Sequence, residues 1–330
     1  MTRRIESGSW PRLLADVGGT NARFALETAR FVFEEIEVLR CANYPSLRAA
    51  AQAYLGAVSA RVPGLPAVRH AAIAIATAVD GDVVAMTNHH WCFSIEAFRR
   101  ELNLLTLAVV NDFTALAMSL PHLAPHQRVQ VGGGAPRPGA PIGLVGPGTG
   151  LGVSGLVHAR DGWTALASEG GHVSFAPNSD LEIDLLRAMR HEWPHASAER
   201  LLSGAGLEFI HRVVSGGATR SAPDITGRAL EEGCDDCLLT VDTFCAMLGS
   251  VAGNVALTLG ATGGVYIGGG IVPRIAALLE RSAFRARFEA KGRLSAYLAR
   301  IPTYWIAEPY PAFFGVSAVL SHPTTERPGH

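Results

Sequence analysis

The sequence is poor in charge and in aromatic residues, and neither sign of charge is in clear excess. Charged residues make up 17% of its 330 residues, aromatic residues make up 7%, and the formal net charge is −1. A chain without a basic surplus gives no electrostatic reason to bind nucleic acid or an anionic membrane surface. The composition therefore predicts a soluble globular protein whose partner is a small molecule, with no nucleic acid and no membrane as partner.

Cysteine is also scarce, and the N-terminal stretch lacks a long apolar run. The five cysteines, an odd number that includes Cys234, Cys237 and Cys245, suit a reducing compartment better than a disulfide framework. The basic residues near the start are not followed by an apolar segment long enough for a signal peptide. We therefore predict a cytoplasmic protein in which residues 1–12 form a flexible N-terminal extension.

One segment, residues 244–272, lacks charged residues altogether, and a hydropathy window would mark it as membrane-spanning. Asn254 and the glycine clusters GATGG and GGG interrupt the segment, so it is predicted to split into a buried helix and a strand. The chain is also longer than one hydrophobic core usually covers, which predicts two lobes.

Two common nucleotide-binding motifs are missing as well. No glycine turn is followed by Lys-Ser or Lys-Thr, and no Gly-x-Gly-x-x-Gly run opens a helix with an acidic residue about 20 positions later. Instead, short apolar runs alternate with amphipathic helices, which predicts mixed sheets covered by helices. The pattern LLADVGGTNARFAL at residues 13–26 returns as IGLVGPGTGLGVSGLV at residues 142–157. This repetition predicts an internal duplication in which each lobe carries one glycine-lined turn, and the two turns can face each other across a cleft.

The glycine turns have the residues that a phosphate site needs. Glycine lets the backbone approach a ligand, and neighbouring threonine and asparagine add donors for phosphate oxygens. Asp16 ends the first strand, and a carboxylate beside a polyphosphate requires an intervening cation, which implies Mg²⁺. A third element, residues 263–279, runs from a strand through Gly268, Gly269 and Gly270 into a helix, as nucleotide or anion sites do. The alternative is that Asp16 caps a hairpin and the glycines only satisfy turn geometry.

A further carboxylate follows the β-branched run AVVND. Asn111 and Asp112 lie where this strand ends and a helix begins, the edge at which α/β sheets collect ligands. The structural alternative is that either residue is only the N-cap of the helix. Because a helix N-terminus favours the charged carboxylate, Asp112 is predicted to be a weak base, which phosphoryl transfer tolerates.

The remaining polar cluster is typical of a site for a polyhydroxylated ligand. Glu169 and His172 are separated by two glycines, and Glu199 is predicted in the first turn of a helix capped by Ser197. Buried sugar hydroxyls each need a hydrogen-bond partner, and these side chains offer several. The alternatives are a metal site at Glu169 and His172, for which no third ligand is apparent, and a solvated charge at Glu199. Cys234 and Cys237 resemble half a zinc site, but free thiols are favoured because no second pair follows.

Together, these segments resemble the bacterial glucokinase family of ATP-dependent hexose kinases. The motifs that carry the resemblance are ADVGGTNARFAL, TNHHWCFSIE, NDFTALAMSLP, GPGTGLGVSGL, SEGGHVSFAP, SAERLLSGAGL, GGVYIGGGIVPR and FEAKGRLSAYLARIPTYWI. The resemblance extends over nearly the whole chain, from about residue 13 to 320. The resemblance implies a two-lobed actin-like and ribonuclease H-like α/β fold, with mixed sheets flanked by helices and an active site in the interlobe cleft. The implied domains are residues 13–121 plus 313–325 for the small lobe and 122–312 for the large lobe.

The resemblance also assigns roles to residues and names the substrates. Asp112 is the implied catalytic base, which takes the proton of the 6-hydroxyl of D-glucose, and it binds the sugar together with Asn111, Glu169, His172 and Glu199. The implied ATP-binding residues are Ala15, Asp16, Val17, Gly18, Gly19 and Thr20, with Gly148, Thr149 and Gly150 on the opposite wall and Gly269 in the third glycine element. Magnesium is carried by ATP, with no direct tight protein ligand and a water-mediated contact to Asp16 as an option. The family is generally homodimeric.

Other branches and functions fit less well. The related repressor and kinase group carries a cysteine-rich zinc motif after its sugar-binding histidine, and here EGGH is followed by VSFAPNSD. Fifteen residues before Asp16 are too few for a DNA-binding helix-turn-helix. A sugar-sensing protein without catalysis would be expected to lose Asp112 or the glycine turns, and both are present. A kinase for mannose, glucosamine or fructose remains the alternative to the glucokinase prediction.

Overall fold

The computed structural model describes residues 10–160, 162–231 and 233–321. Residues 1–9 of the predicted N-terminal extension lie outside this part of the chain, as do residues 322–325 of the predicted small lobe. Two compact units are formed: the described residues up to Leu123 together with those from Pro309 onward, and Ala124–Glu308.

The first unit is built on a five-stranded sheet with the order β3-β2-β1-β4-β7. Strands β1, β4 and β7 are parallel, and β2 and β3 run antiparallel to their neighbours. A two-stranded ribbon, β5-β6, is separate from this sheet. The elements are β1 (Arg12–Val17), β2 (Asn21–Ala29), β3 (Val32–Arg40), α1 (Leu47–Arg61), β4 (His70–Ile75), β5 (Val83–Ala85), β6 (Cys92–Ser94), α2 (Ile95–Glu101), β7 (Thr106–Asn111), α3 (Asp112–Ser119) and α11 (Pro311–Ser321).

The second unit is built on a six-stranded sheet with the order β11-β10-β9-β12-β13-β8. Here β9, β12 and β13 are parallel, whereas β8, β10 and β11 are antiparallel to their neighbours. Its elements are β8 (Arg128–Val131), β9 (Ile142–Pro147), β10 (Leu151–Ala159), β11 (Gly162–Leu166), α4 (Asp180–Glu192), α5 (Gly204–Val214), α6 (Ala222–Leu230), α7 (Asp235–Leu259), β12 (Val265–Ile267), α8 (Val272–Arg281), α9 (Phe284–Glu289), α10 (Ser295–Ala299) and β13 (Thr303–Ile306).

The two sheets share one design, which confirms the predicted internal duplication. With β8 left aside, a hairpin joins the first two strands of each unit, a third strand pairs on the outer side of the second, and two parallel strands follow on the other side of the first. The predicted repeat at residues 13–26 and 142–157 forms the two equivalent hairpins β1-β2 and β9-β10. Strand β8 has no counterpart in the first unit and extends the second sheet by one antiparallel strand.

Small residues on the central strands let helices approach the first sheet closely. Ala72 and Ala74 of β4 are buried beneath α3 and α11, together with Phe313 and Val316. A Cβ atom at Gly315 would overlap the carbonyl oxygen of Ala115, so the two helices cross at a point where only glycine fits. This crossing holds α3, and therefore the predicted Asn111–Asp112 site at its start, firmly against the sheet.

The core of the second unit is organised around α7. This helix begins after Cys234 and ends at Gly260, which adopts a left-handed conformation with φ of 60°. It is long and apolar enough to cross a membrane, yet 72% of its most apolar window is buried inside the protein. The chain then turns and forms the short strand β12, so the prediction that residues 244–272 split into a buried helix and a strand is confirmed. The first strand of the chain begins at Arg12, one residue before the predicted start.

Candidate functional site

The predicted site residues of the first unit lie at the carboxyl edge of its sheet. Strands β1, β4 and β7 are parallel, so the turn after β1 and the start of α3 after β7 lie at the same edge. Between them, the chain leaving β4 is tied to both neighbours. Ala76 N donates to Val17 O at 2.9 Å, and Asn111 Nδ2 donates to Thr77 O at 3.2 Å.

The turn after β1 presents peptide N–H groups. Gly18 N donates to Asn21 O at 2.9 Å and closes the turn. Within the described residues, the N–H groups of Gly19 and Thr20 make no hydrogen bond, so both are available to an anion. A Cβ atom at Gly19 would lie 3.0 Å from the carbonyl oxygen of Asn88, which explains glycine at this position. Ala15 and Val17 are buried, and they contribute to the turn through the strand backbone.

Asp16 lies just before this turn. Its Oδ2 accepts a hydrogen bond from Arg23 Nη1 at 2.8 Å across the β1-β2 hairpin. Burial raises the pKa of Asp16 above its ordinary value, although Arg23 opposes the shift. The carboxylate is therefore held in place, with part of its charge already balanced.

Asn111 and Asp112 divide the capping of α3 between them. Asn111 is the N-cap, and its Oδ1 accepts from Phe113 N at 3.0 Å and from Thr114 N at 3.2 Å. Asp112 is the first helical residue, and its Oδ1 accepts from Phe113 N at 2.8 Å. The N-cap of the structural alternative is thus present, and it is supplied by Asn111 rather than by Asp112.

The predicted weak basicity of Asp112 is wrong. Burial and the neighbouring charge of Asp16 raise the pKa of Asp112 to about 6, and the backbone hydrogen bonds at the helix start only partly oppose this. The helix N-terminus does favour the charged form, but desolvation of the carboxylate outweighs it. Asp112 is therefore a stronger base than an ordinary aspartate.

In the second unit, the turn after β9 is linked to Glu199. Gly148 N donates to Gly150 O at 2.8 Å, and Gly204 N at the start of α5 donates to Gly148 O at 2.9 Å. Leu151 N donates to Glu199 Oε2 at 2.9 Å. A Cβ atom at Gly150 would lie 2.5 Å from that same carboxylate oxygen, so glycine at this position leaves room for Glu199. This link between the predicted nucleotide turn and a predicted sugar residue was not expected from the sequence.

Glu169, His172 and Glu199 form one cluster. His172 Nε2 lies 3.8 Å from Glu169 Oε2, and His172 Nδ1 lies 3.8 Å from Glu199 Oε1. The side chains of Glu169 and His172 are 89% and 59% exposed, whereas that of Glu199 is 28% exposed. The prediction that the two glycines between Glu169 and His172 present both side chains to one point is confirmed.

The local structure around this cluster differs from the prediction in one respect. Glu199 lies in a three-residue 3₁₀ helix, Ala198–Arg200, and the side chain of Ser197 makes no capping bond, so the predicted helix capped by Ser197 is wrong. The backbone of Ser197 pairs instead with Ser174 in an isolated bridge. A residue that the sequence did not single out, His195, contacts the backbone of His172 through Nε2 and O at 2.9 Å.

The third glycine element lies beside the turn after β9. Strands β9 and β12 are parallel, and Gly268 N donates to Val145 O at 2.9 Å. Gly269 has a φ of 84°, and a Cβ atom there would overlap the carbonyl oxygen of Pro147. Two of the predicted nucleotide-binding segments, Gly148–Gly150 and Gly269, therefore share one edge of the second sheet.

The predicted residues thus form two sets. One set, Asn111 and Asp112 with residues 15–20, lies in the first unit, and the other, Glu169, His172, Glu199, residues 148–150 and Gly269, lies in the second. Among the described residues, no group of three or more histidine, cysteine, aspartate or glutamate side chains is placed to hold a metal ion. All five cysteines, including Cys234 and Cys237, are free thiols.

Comparisons with known proteins identify relatives of this chain. The family model named Glucokinase matches residues 13–323. A glucokinase from Chromobacterium violaceum is 56% identical over 318 residues, covering 95% of this chain and 90% of that protein. The "Bifunctional protein glk" of Paraburkholderia xenovorans is 54% identical over 325 residues, which are 97% of this chain, and the chain spans 50% of the length of that relative.

Solved structures show the same fold. The crystal structure of a glucokinase from an Antarctic psychrotroph superposes with a TM-score of 0.87 at 36% identity, covering 95% of this chain and 99% of that one. A glucokinase of the ROK family from Streptomyces griseus, in complex with glucose and AMPPNP, superposes with a TM-score of 0.62 at 15% identity, covering 94% and 99%. The predicted α/β class of the actin-like sugar kinases is confirmed. The chain belongs to the glucokinase family.

Proposed function

We propose that this protein is an ATP-dependent glucokinase that transfers the γ-phosphoryl group of ATP to the 6-hydroxyl of D-glucose. The products are glucose 6-phosphate and ADP, the first step of glycolysis. The observation that carries the proposal is Asp112, whose pKa is raised to about 6, at the sheet edge that also bears the glycine turn. Membership of the glucokinase family supports the same substrates.

Asp112 is suited to receive the proton of a sugar hydroxyl. A general base works best when its pKa lies near the operating pH, and a pKa of about 6 brings an aspartate close to that condition. Its Oδ1 is fixed by the hydrogen bond from Phe113 N at the start of α3. Because the phosphoryl-transfer transition state is loose, the protein contributes mainly positioning and charge, with Asp112 orienting the attacking hydroxyl.

The sugar is held by two sets of hydrogen-bonding side chains in this proposal. Asn111 and Asp112 hydrogen-bond at the 6-hydroxyl end of the sugar. The other hydroxyls are bound by Glu169, His172 and Glu199. The side chain of Glu169 is 89% exposed, and its Oε2 lies 3.8 Å from His172 Nε2. A carboxylate that already faces solvent loses little hydrogen-bonding energy when a sugar hydroxyl replaces a bound water.

ATP is assigned to the glycine turns. The N–H groups of Gly19 and Thr20 suit phosphate oxygens, and Gly148–Gly150 and Gly269 form a second backbone surface. The ATP analogue bound by the Streptomyces griseus relative supports ATP as the phosphoryl donor.

Magnesium accompanies ATP in this proposal. The carboxylates of Asp16 and Asp112 raise the energy of each other's charged form, which fits a nearby cation. Asp16 would contact Mg²⁺ through water, because one of its oxygens is engaged by Arg23. When bound, the ion would neutralise charge on the phosphate oxygens.

A coupled assay tests the proposal. Glucose 6-phosphate formation is measured with the full reaction, without ATP and without Mg²⁺, and product is expected only in the full reaction. Mannose, glucosamine and fructose are compared with glucose by kcat/KM, with glucose expected to give the highest value. A folded protein that forms no glucose 6-phosphate, or prefers another hexose, would refute the assignment.

We also propose that the protein is a homodimer in the cytoplasm. The odd number of free cysteines suits a reducing compartment. Sedimentation velocity measures the oligomeric state, and a monomer at micromolar concentration would contradict the dimer. Cell fractionation measures the compartment.

A further inference from the structure

A pocket of about 290 Å³ lies in the second unit, apart from the residues assigned above to glucose and ATP. One wall is formed by α7, from Met247 to Leu259. The facing wall is formed by β10 and by the segment that carries the sugar residues, through Ser168, Gly170 and Val173. Neither Glu169 nor His172 lines it, although sequence neighbours of both do.

The lining selects for an uncharged ligand. All of its residues belong to the part of the chain that the structure describes, and none is acidic, basic or histidine. Its walls are mainly apolar, with Val153, Leu166, Phe175, Val251 and Leu259 among them. Because burying an unpaired charge is costly and no charged side chain lines the pocket, an uncharged molecule is favoured, and its apolar surface gains from removal from water.

Three of the polar side chains at the pocket, Ser154, Ser250 and Asn254, make hydrogen bonds within the protein. Ser154 Oγ donates to Leu166 O at 2.9 Å, and Ser250 Oγ donates to Ala246 O at 3.2 Å, so both hydroxyl protons are used within the protein. Asn254 differs, because its Oδ1 accepts from Lys291 Nζ at 2.6 Å. This bond fixes the orientation of the amide and leaves Nδ2 as a donor.

Lys291 stabilises that orientation of the Asn254 amide. It is the one lysine in the sequence, and its Nζ also donates to Ser250 O at 3.0 Å, one helical turn before Asn254. The ammonium group therefore bridges a backbone carbonyl and the side-chain amide on the same face of α7. A ligand that meets Asn254 Nδ2 must bring an acceptor oxygen.

The same pocket adjoins the sugar segment through the backbone. Ser168 and Gly170 flank Glu169, and Val173 follows His172 directly. Gly170 packs tightly on β10, where a Cβ atom would lie 2.8 Å from Val153 Cγ1. A molecule that fills the pocket therefore presses on the backbone that positions Glu169 and His172.

We propose that this pocket binds a small, uncharged and mainly apolar molecule that carries a carbonyl or ether oxygen, and that its occupation changes the affinity for glucose. The second part rests on the proposed function, whereas the first part does not. Coupling between two sites is reciprocal, so glucose must change the affinity for the pocket ligand by the same factor.

The neutral dye 6-propionyl-2-(dimethylamino)naphthalene has the required chemistry and its emission shifts to the blue in apolar surroundings. Titration of the whole protein is expected to show one saturable site per chain. Thr258→Trp places a large side chain at the pocket from an exposed position of α7, and it should weaken dye binding at least tenfold. The matched control is Leu239→Trp, an exposed position of the same helix that does not line the pocket, and it should bind the dye within twofold of the unmodified protein.

Three results would overturn the proposal. The first is equal dye binding by Thr258→Trp and the unmodified protein, with both folded by circular dichroism. The second is complete competitive displacement of the dye by glucose, which would place the dye in the sugar site. The third is a dimer that becomes a monomer in Thr258→Trp but not in Leu239→Trp, which would show that a second copy of the chain covers the pocket.

Calorimetric titration of glucose with and without saturating dye measures the coupling. A change of about fivefold in the glucose Kd is expected, mirrored by the same change in the dye Kd when glucose is saturating. Unchanged Kd values would refute the coupling. If the protein binds no glucose at all, the proposed function fails. The dye titration with its two variants then still tests whether the pocket binds a small uncharged molecule.

Discussion

Replacing Asp112 with asparagine should abolish catalysis and, at neutral pH, stabilise the folded protein. The pKa of Asp112 rises from an ordinary 3.8 to about 6 because burial and Asp16 disfavour its charged form. Each pKa unit corresponds to about 1.4 kcal/mol, so ionised Asp112 destabilises the folded state by about 3 kcal/mol at most. Asparagine keeps the shape of the side chain and an oxygen for Phe113 N, but it carries no charge.

The sign of the pH dependence follows from the raised pKa. Because the folded-state pKa lies above that of the unfolded chain, ionised Asp112 lowers the free energy of unfolding at every pH above about 6. This loss shrinks as the pH falls below about 6, and it disappears below 3.8, where the carboxyl is protonated in both states. The advantage of Asp112→Asn should therefore be largest at pH 7.5 and should shrink towards pH 4.

Thermal unfolding at pH 7.5 and at pH 4.5 measures this effect, and the coupled assay measures activity. A rise in Tm of several degrees is expected at pH 7.5, with kcat reduced about 10²- to 10⁴-fold. The matched control is Asp180→Asn, because Asp180 is also the first residue of a helix but is exposed. It should lose a little stability, since an exposed carboxylate at a helix start is favourable. An Asp112→Asn variant with unchanged or lower Tm at pH 7.5 would refute the burial argument, and one that keeps more than about a tenth of kcat would refute the base.

Three further predictions use the same assay. The kcat/KM of the unmodified enzyme should fall about tenfold per pH unit below about pH 6, because protonated Asp112 cannot accept a proton, and a flat profile from pH 5 to 7 would contradict this. Gly150→Ala should raise the KM for glucose about tenfold, since its Cβ lies 2.5 Å from Glu199 Oε2 and displaces a charge-assisted hydrogen bond. Gly19→Ala should raise the KM for ATP several-fold by moving the turn that offers its N–H groups. Gly56→Ala, on α1 with open space around it, is the control for both, and equal KM changes in all three variants would argue against the contacts.

The duplicated hairpins were predictable because their signal is local. In each, an apolar strand, a glycine turn and a second apolar strand follow one another within 16 residues or fewer, and the structure forms β1-β2 and β9-β10 there. The cluster of Glu169 and His172 was accessible for the same reason, because two glycines between them rule out a regular helix and keep both side chains close. Strand β8 has no such signal, since its four residues become a strand only by pairing with β13.

What sequence reasoning could not supply were effects that depend on distant neighbours. The pKa of Asp112 was misjudged because its local setting, a helix start, favours the charge, whereas Asp16 and the surrounding burial come from other strands. The bond from Leu151 N to Glu199, and the space that Gly150 leaves for it, joins residues almost 50 positions apart. Neither the residue types nor their spacing in the sequence predicts such a contact.

The crossing of α3 and α11 has a consequence for biosynthesis. Gly315 and Ala115 meet at a point where the helices touch backbone to backbone, yet α11 leaves the ribosome only after all of Ala124–Glu308. Domains generally acquire their structure in the order in which the ribosome releases them. Here the second unit is one continuous stretch of chain and can fold before synthesis ends. The first unit cannot complete its fold until Pro311–Ser321 has been synthesised, and until then the apolar face of α3 that packs against α11 is exposed. Nascent chains stalled before Pro311 should therefore be recognised by chaperones through this uncovered surface.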